Sequence, residues 1–280
     1  MSELKIQKAH GISFIERKGA GPSFVFLHGI GSNADSFRAV FDLFPADAHL
    51  IAWNAPGYGD SDPLAVAWAT AGDYAKALRD FLTARGLGPV ILLGHSLGTL
   101  IAAAFARAYP DRVSQVILAA SASGYNVPVG GEMPSSVAAR ISELERLGAK
   151  EFARTRAARL VYQPDQNPDV VALVEAGMSR VNPAGYAQAV RMLANGALPD
   201  MMRSVTVPCG FIIGTGDQVT PEQQTLDAAE AWAKAQGKTP TIERIEQAGH
   251  AVYMQQPDAF TAAVQRLVAT AKHRIGETHD

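Results

Sequence analysis

The segment Gly94-His95-Ser96-Leu97-Gly98 follows the apolar run Val90-Ile-Leu-Leu93 and precedes the Ala-rich stretch Leu100 to Tyr109, so it falls where a strand hands over to a helix. A serine between two glycines at such a turn can hold a strained backbone with its hydroxyl exposed, and the glycines leave room for strand and helix to approach. The dipole of the following helix favours negative charge beside that hydroxyl. The chemistry this suggests is attack by an alcohol. An alcohol is a weak nucleophile at neutral pH and needs a base; a neutral imidazole can take its proton and return it to a leaving group. Other reactive residue types offer less. Cys209 opens a strongly apolar run and reads as an inert core thiol. The seven His and one Cys are dispersed, without the close pairing of a zinc site. Asp60 and Asp62 follow a Gly-rich turn and Asp73 reads as a helix N-cap, so each has a structural explanation.

These residues need a scaffold. A chain of 280 residues that is 48% hydrophobic and 19% charged can build a full core without disulfides or structural metal. Leu4 to Lys8 and Ile12 to Lys18 alternate in polarity and suit an antiparallel pair joined by a tight turn at His10-Gly11. Phe24 to Leu27, Leu50 to Trp53, Val90 to Leu93, Val116 to Ala119 and Gly210 to Ile213 are continuously apolar, as strands buried on both faces of a parallel sheet must be. Helical periods lie between them, at Tyr74, Leu78, Phe81 and Leu82 and over Leu100 to Tyr109. Thr241 to Ile245 predicts a last strand and Pro257 to Lys272 a helix with Pro in its first turn. This alternation predicts a doubly wound α/β sheet. One block departs from it: residues 121–204 hold four helical patterns and no buried-strand run, near Ser135 to Leu147, Ala149 to Val161, Pro168 to Ser179 and Pro183 to Asn195. The block is too long for an ordinary crossover and predicts an inserted helical subdomain.

On these motifs the chain resembles the α/β-hydrolase superfamily over nearly its whole length, in its capped serine esterase and meta-cleavage-product-hydrolase-like branch. The resemblance implies a mostly parallel eight-stranded sheet flanked by helices, with a core of residues 1–120 and 205–280 and a helical cap of 121–204. His28-Gly29-Ile30-Gly31 is similar to the family's oxyanion loop, and Asn54-Ala-Pro-Gly-Tyr-Gly-Asp-Ser-Asp62 to its P-G-x-G-x-S-D loop. Gly214-Thr-Gly-Asp217 stands where the family's acid loop does, and Ala248-Gly-His250 where its catalytic histidine does. The implied triad is Ser96, Asp217 and His250, in the chain order of this fold. The implied oxyanion donors are the backbone N–H groups of Ile30 and Leu97. A carboxylate such as Asp217 fixes the useful tautomer of His250 and stabilises the imidazolium. Some members take the acid from just after the sixth strand, but Leu118-Ala-Ala-Ser-Ala-Ser-Gly124 holds no carboxylate. His28 and His95 are read as structural. Serine in the elbow excludes the haloalkane-dehalogenase and epoxide-hydrolase branches, whose nucleophile is Asp.

The expected chemistry is hydrolysis of a small carboxylic ester or lactone through an acyl-enzyme on Ser96, with no cofactor and no metal. Three other uses of the same scaffold stay open: carbon-carbon bond hydrolysis of ring-fission dienoates, a cofactor-free perhydrolase or haloperoxidase, and a small-ligand receptor. The dienoate hydrolases commonly place Trp after the catalytic His, where this chain has His250-Ala-Val-Tyr-Met254. In the cap, Met133, Met178, Met192, Met201 and Met202 suit either an adaptable pocket or gap-filling. Arg154, Arg156, Arg159, Arg180 and Arg191 are either a solvated face or candidates to hold a substrate carboxylate. A formal net charge of -2, with Lys and Arg spread along the chain, argues against a nucleic-acid partner. Met1 to His10 lack the apolar core of a signal peptide, and no apolar run approaches the ~18 residues of a membrane span. A soluble cytoplasmic enzyme acting on a small molecule is expected.

Overall fold

Residues that alternate along each apolar run are buried in two different layers, which is why the runs carry no polar face. In the computed structural model Val25 and Leu27 pack into one layer with Leu92, Leu118 and Phe211, while Phe24 and Phe26 pack into the other with Leu93, Ile117 and Ile212. Residues 4–276 are described, 272–276 as helical backbone alone. Residues 1–3 and 277–280, the outer ends of the expected core and the start of the N-terminal segment, lie outside the described residues.

The eight strands are β1 (Gln7–Ala9), β2 (Ile12–Arg17), β3 (Ser23–Leu27), β4 (His49–Trp53), β5 (Val90–His95), β6 (Val113–Ala119), β7 (Cys209–Gly214) and β8 (Thr241–Ile245). Their order across the sheet is β1-β2-β4-β3-β5-β6-β7-β8. β2 runs antiparallel to β1 and β4; the remaining pairs are parallel. The helices are α1 (Arg38–Leu43), α2 (Ala71–Ala84), α3 (Leu97–Ala108), α4 (Ser135–Arg156), α5 (Pro168–Met178), α6 (Pro183–Asn195), α7 (Leu198–Met202), α8 (Glu222–Gln236), α9 (Val252–Gln255) and α10 (Pro257–Gly276). α2, α3 and α8 bury their apolar faces on one side of the sheet, and α1 and α10 on the other. Between β6 and β7 the chain makes α4 to α7, and α7 lies against α3 and α8. No helix among the described residues is long and apolar enough to cross a membrane.

Local chemistry moves some boundaries. Leu4 does not join β1, because its carbonyl accepts from Arg38 Nη1 at 2.7 Å in place of a ladder bond. Asp73 is not the N-cap of α2; Thr70 is. The Thr70 N–H donates to Asp73 Oδ2 at 2.8 Å and the Asp73 N–H to Thr70 Oγ1 at 3.4 Å, a reciprocal capping box that a search for a single cap does not anticipate. α3 opens at Leu97, not Leu100, directly after Ser96. The two helical patterns expected on either side of Gly148 form one helix interrupted there, where Gly148 holds φ 71° and ψ 160°.

α3 passes close over β3, the parallel neighbour of β5. A Cβ on Gly98 would lie 2.1 Å from the Leu27 carbonyl oxygen, and one on Gly94 would lie 2.5 Å from the Gly98 carbonyl oxygen. Backbone occupies both places. Gly72, in the exposed first turn of α2, meets only the Thr70 hydroxyl, at 3.5 Å. The same substitution should therefore act with opposite sign at the two sites. Gly98→Ala is expected to lower stability by about 1–3 kcal/mol or more, and Gly72→Ala to raise it by about 0.4–1 kcal/mol, read as urea unfolding midpoints at constant slope.

Candidate active site

The carboxyl ends of the parallel strands point to one edge of the sheet, and the loops that leave them bring the motifs together there. The loop after β3 carries His28 to Gly31, the turn after β5 carries Ser96, the loop after β7 carries Asp217, and the loop after β8 carries His250. Gly29, Ile30, Gly31, Ser96 and His250 contribute to the wall of one cavity of about 400 Å³.

Ser96 holds φ 52° and ψ −117°, a left-handed conformation that costs a non-glycine residue of order 1–3 kcal/mol. The sheet holds it there: the Ser96 N–H donates to the Ala119 carbonyl at 3.0 Å. Behind the turn, Thr99 Oγ1 donates to the Ser96 carbonyl at 2.6 Å. Leu97 follows as the first residue of α3, so its N–H is one of the donors that a helix start leaves without an internal acceptor. The His28–Gly31 loop passes close by. A Cβ on Gly29 would lie 3.0 Å from Ser96 Cβ. Tyr58 Oη donates to the Ile30 carbonyl at 2.6 Å, which fixes the peptide orientation in this loop.

His250 and Asp217 are both buried, and His250 Nδ1 lies 2.9 Å from Asp217 Oδ2. The N–H groups of Val219 and Thr220 donate to Asp217 Oδ1 at 2.7 and 3.0 Å. The Thr220 hydroxyl stands 2.8 Å from Oδ2 and 3.1 Å from His250 Nδ1. Burial raises the Asp217 pKa, but the facing His250 and the hydrogen bonds from His250 and Thr220 outweigh it and hold the carboxylate below its ordinary range. An ionised Asp217 accepts the Nδ1 proton, leaving Nε2 as the free basic atom of the ring. Among the described residues, it is Asp217 and not Ser96 that is hydrogen-bonded to the His250 ring. Links to a serine nucleophile commonly tighten only with substrate in place.

The remaining histidines of the region hold backbone, His28 through both ring nitrogens and His95 through Nε2, its Nδ1 being buried without a hydrogen-bond partner among the described residues. His28 Nδ1 donates to the Gly29 carbonyl at 2.8 Å and Nε2 accepts from the Ala55 N–H at 3.0 Å. His95 Nε2 donates to the His250 carbonyl at 2.7 Å, tying the turn after β5 to the loop after β8. Burial lowers the pKa of His28 to about 4. Burial and the neighbouring His250 lower that of His95 to about 3. Both rings stay neutral. Asp62 pairs with Lys8 at 2.7 Å on the surface and Asp73 accepts from the Thr70 N–H in the capping box of α2, so neither carboxylate reaches the site. Cys209 is buried and its thiol is pushed well above the ordinary range by burial.

Several features were not anticipated from sequence. The Ala251 N–H donates to the Leu160 carbonyl at 2.9 Å. Gln255 accepts from the N–H groups of Gly249 and Tyr162, both at 2.9 Å. The histidine loop is thus fastened to the segment that follows α4. Tyr253 Oη bridges Ser32 and Ser36, at 3.1 and 2.9 Å, and so joins the loop after β3 to α9. Of the arginines singled out above, Arg156 and Arg159 line the cavity together with Arg140, which its sequence context did not mark. Arg154, Arg180 and Arg191 lie outside it, bonded to Glu151, Asp35 and the Ala67 carbonyl. Met178 lines the cavity, whereas Met192 and Met202 are buried in the core.

Comparison with known proteins places this arrangement in context. Residues 24–263 match the model of the alpha/beta hydrolase family. The chain is 27% identical to (E)-2-((N-methylformamido)methylene)succinate hydrolase of Acinetobacter baylyi, covering 90% of this chain and 92% of that protein. It is 28% identical to the pimeloyl-[acyl-carrier protein] methyl ester esterase of Vibrio campbellii, covering 90% and 96%. Among solved structures, the fold is similar to a thermophilic esterase from Thermogutta terrifontis, with TM-score 0.80, 23% identity and coverage of 93% and 94%. It is also similar to the enol-lactonase of Burkholderia xenovorans, with TM-score 0.81, 18% identity and coverage of 95% and 100%. A sheet with this strand order, a serine turn after β5 and a family match over most of the chain lead to one conclusion: the protein belongs to the alpha/beta hydrolase family and is a hydrolase.

Proposed function

We propose that the protein hydrolyses a small carboxylic ester or lactone through an acyl-enzyme on Ser96, with His250 as general base and acid and Asp217 as the orienting carboxylate. The observation that carries this reading is the buried His250–Asp217 contact at 2.9 Å, with His250 and the strained Ser96 lining one cavity. Other serines line the same cavity, but Ser32 is engaged with Tyr253, and Ser96 alone combines backbone strain with a helix N-terminus. The esterase among the relatives supports an ester as the reacting group.

In the first half-reaction Ser96 Oγ attacks the carbonyl carbon and passes its proton to His250 Nε2, while Asp217 stabilises the imidazolium through Nδ1. The carbonyl oxygen becomes an alkoxide. The N–H groups of Leu97 and Ile30 are the donors assigned to it, the first aided by the dipole of α3. Collapse of the intermediate breaks the bond to the leaving alkoxide, which takes the proton from His250. Water then repeats the sequence on the acyl-enzyme and releases the acid. Residues of α4, α5 and α6 form the cavity wall opposite the strand loops, which supports residues 121–204 as a cap that excludes water during these steps.

Triad members act as a unit. Ser96→Ala and His250→Ala are each expected to lower kcat on a short p-nitrophenyl ester by on the order of 10^6, and Asp217→Asn by roughly 10^4. A nearly silent Asp217→Asn would remove Asp217 from the mechanism.

The mechanism also needs the supporting histidines neutral, and this has a signature in stability. The unfolded chain takes up protons at His28 and His95 near the ordinary pKa of about 6.5, whereas the folded chain resists protonation down to about 4 and about 3. The unfolded state therefore binds more protons in that window, and stability should fall as pH drops from about 6.5 towards 4. Urea midpoints at several pH values check this. His95→Asn should show a shallower fall than the wild type; an unchanged slope would contradict it.

A further inference from the structure

The cavity wall has an uneven charge. Arg140, Arg156 and Arg159 line it, and among the described residues no Asp or Glu does, in a chain whose formal net charge is -2. Arg156 is accounted for: it forms an ion pair with Glu143 and lies over the Phe152 ring at 4.6 Å. Glu143 also feels the charge of Arg140, but its hydrogen bond goes to Arg156. Neither Arg140 nor Arg159 has an ion-pair partner among the described residues. Not every arginine of this block is left so: Arg191 donates to the Ala67 carbonyl, and Arg146, like Arg140 and Arg159, has no ion-pair partner among the described residues but lies outside the cavity wall. Arg154, Arg180 and Arg203 are each paired with a carboxylate, at 2.7, 2.8 and 2.5 Å. Arg140 is half-buried, so its charge attracts an anion more strongly than it would in open water, while Arg159 is exposed and adds a solvated cation to the same wall.

We propose that the substrate carries a carboxylate at the end remote from the cleaved bond, and that Arg140 and Arg159 receive it. A guanidinium offers a planar fork that matches a carboxylate with two parallel hydrogen bonds. Both arginines come from the chain between β6 and β7, Arg140 from α4 and Arg159 from the turn that follows it, whereas Ser96 and His250 come from the strand loops. Phe152, Leu160, Val174, Met178 and Tyr186 supply apolar wall in the same cavity. The ligand this fits is short and two-ended: an ester or lactone carbonyl for Ser96, an apolar spacer and a free carboxylate. A half-ester of a dicarboxylic acid has this form. The inference rests on the function proposed above only for the position of the reacting carbonyl.

The test separates binding from turnover. Calorimetry on Ser96→Ala would compare monomethyl adipate, which has a free carboxylate, with dimethyl adipate, which is uncharged and otherwise matched. Charged hydrogen bonds of this kind predict tighter binding of the monoester by about tenfold or more. Adding Arg140→Gln and Arg159→Gln to Ser96→Ala should reduce that preference to within about twofold, with each single substitution intermediate. Equal binding of the two adipates, or a preference that survives both substitutions, would overturn the proposal. Tighter binding of methyl 4-phosphonobutanoate than of monomethyl adipate would overturn the carboxylate assignment in favour of a phosphonate-like or phosphate-bearing ligand. These outcomes do not depend on catalysis. Failure of the hydrolytic reading would appear instead as absent turnover of both adipates by the wild type.

Discussion

The close crossing of α3 over β3 constrains everything else in the site. Because Gly98 lies against the Leu27 carbonyl, α3 can start immediately after β5, and the one residue between them, Ser96, must turn the chain at φ 52°. That turn lifts the hydroxyl clear of the sheet and leaves the Leu97 N–H at the helix start. A side chain at Gly98 would push α3 away from β3, and with it the spacing between Ser96 and the His28–Gly31 loop. The strain at Ser96 is held by bonds that the sheet and helix make anyway, among them Ser96 N–H to the Ala119 carbonyl. Function here draws on the stability of the fold.

The parts around Ser96 are held by groups that take no part in chemistry. His28 and Tyr58 fix the loop after β3 from one side, and Tyr253 fixes it from the other through Ser32 and Ser36. His95 fixes the backbone of His250, and Gln255 fastens the same loop to Tyr162. Burial is what makes two of these supports dependable, since a charged His28 could not accept from the Ala55 N–H. A ring kept neutral by desolvation keeps its hydrogen-bond pattern over the pH range in which His250 would have to work.

The strands were legible because their sequence signal and their environment coincide. Phe24 and Val25 are apolar neighbours that face opposite layers, and only a strand covered on both sides uses such a run. The serine turn was legible because Gly94 and Gly98 bracket it for a steric reason. Asp217 and His250 were legible only through resemblance; taken alone, a Gly-Asp turn and a loop histidine carry no signal. Short or reciprocal features escaped notice. α1 and α7 have too few residues for a period to show, and the Thr70–Asp73 box looks like a single acidic cap until both hydrogen bonds are seen. The arginines show a further limit. Arg154 and Arg156 are two residues apart on one helix, yet only Arg156 enters the cavity wall, because residues two apart on a helix face different directions. Arg140 stands sixteen residues before Arg156 and shares its cavity through tertiary packing, which spacing along the chain does not encode.

The account stands on Ser96 being the activated nucleophile of the cavity, and covalent labelling reads that directly. A fluorophosphonate reacts with a serine whose proton is being removed by a base, and peptide mass mapping reports which serine it has modified. The account predicts one adduct, on Ser96, formed far more slowly in His250→Ala. An adduct on Ser32, Ser36, Ser123 or Ser136, which line the same cavity, would contradict it. So would labelling of Ser96 at an unchanged rate once His250 is gone.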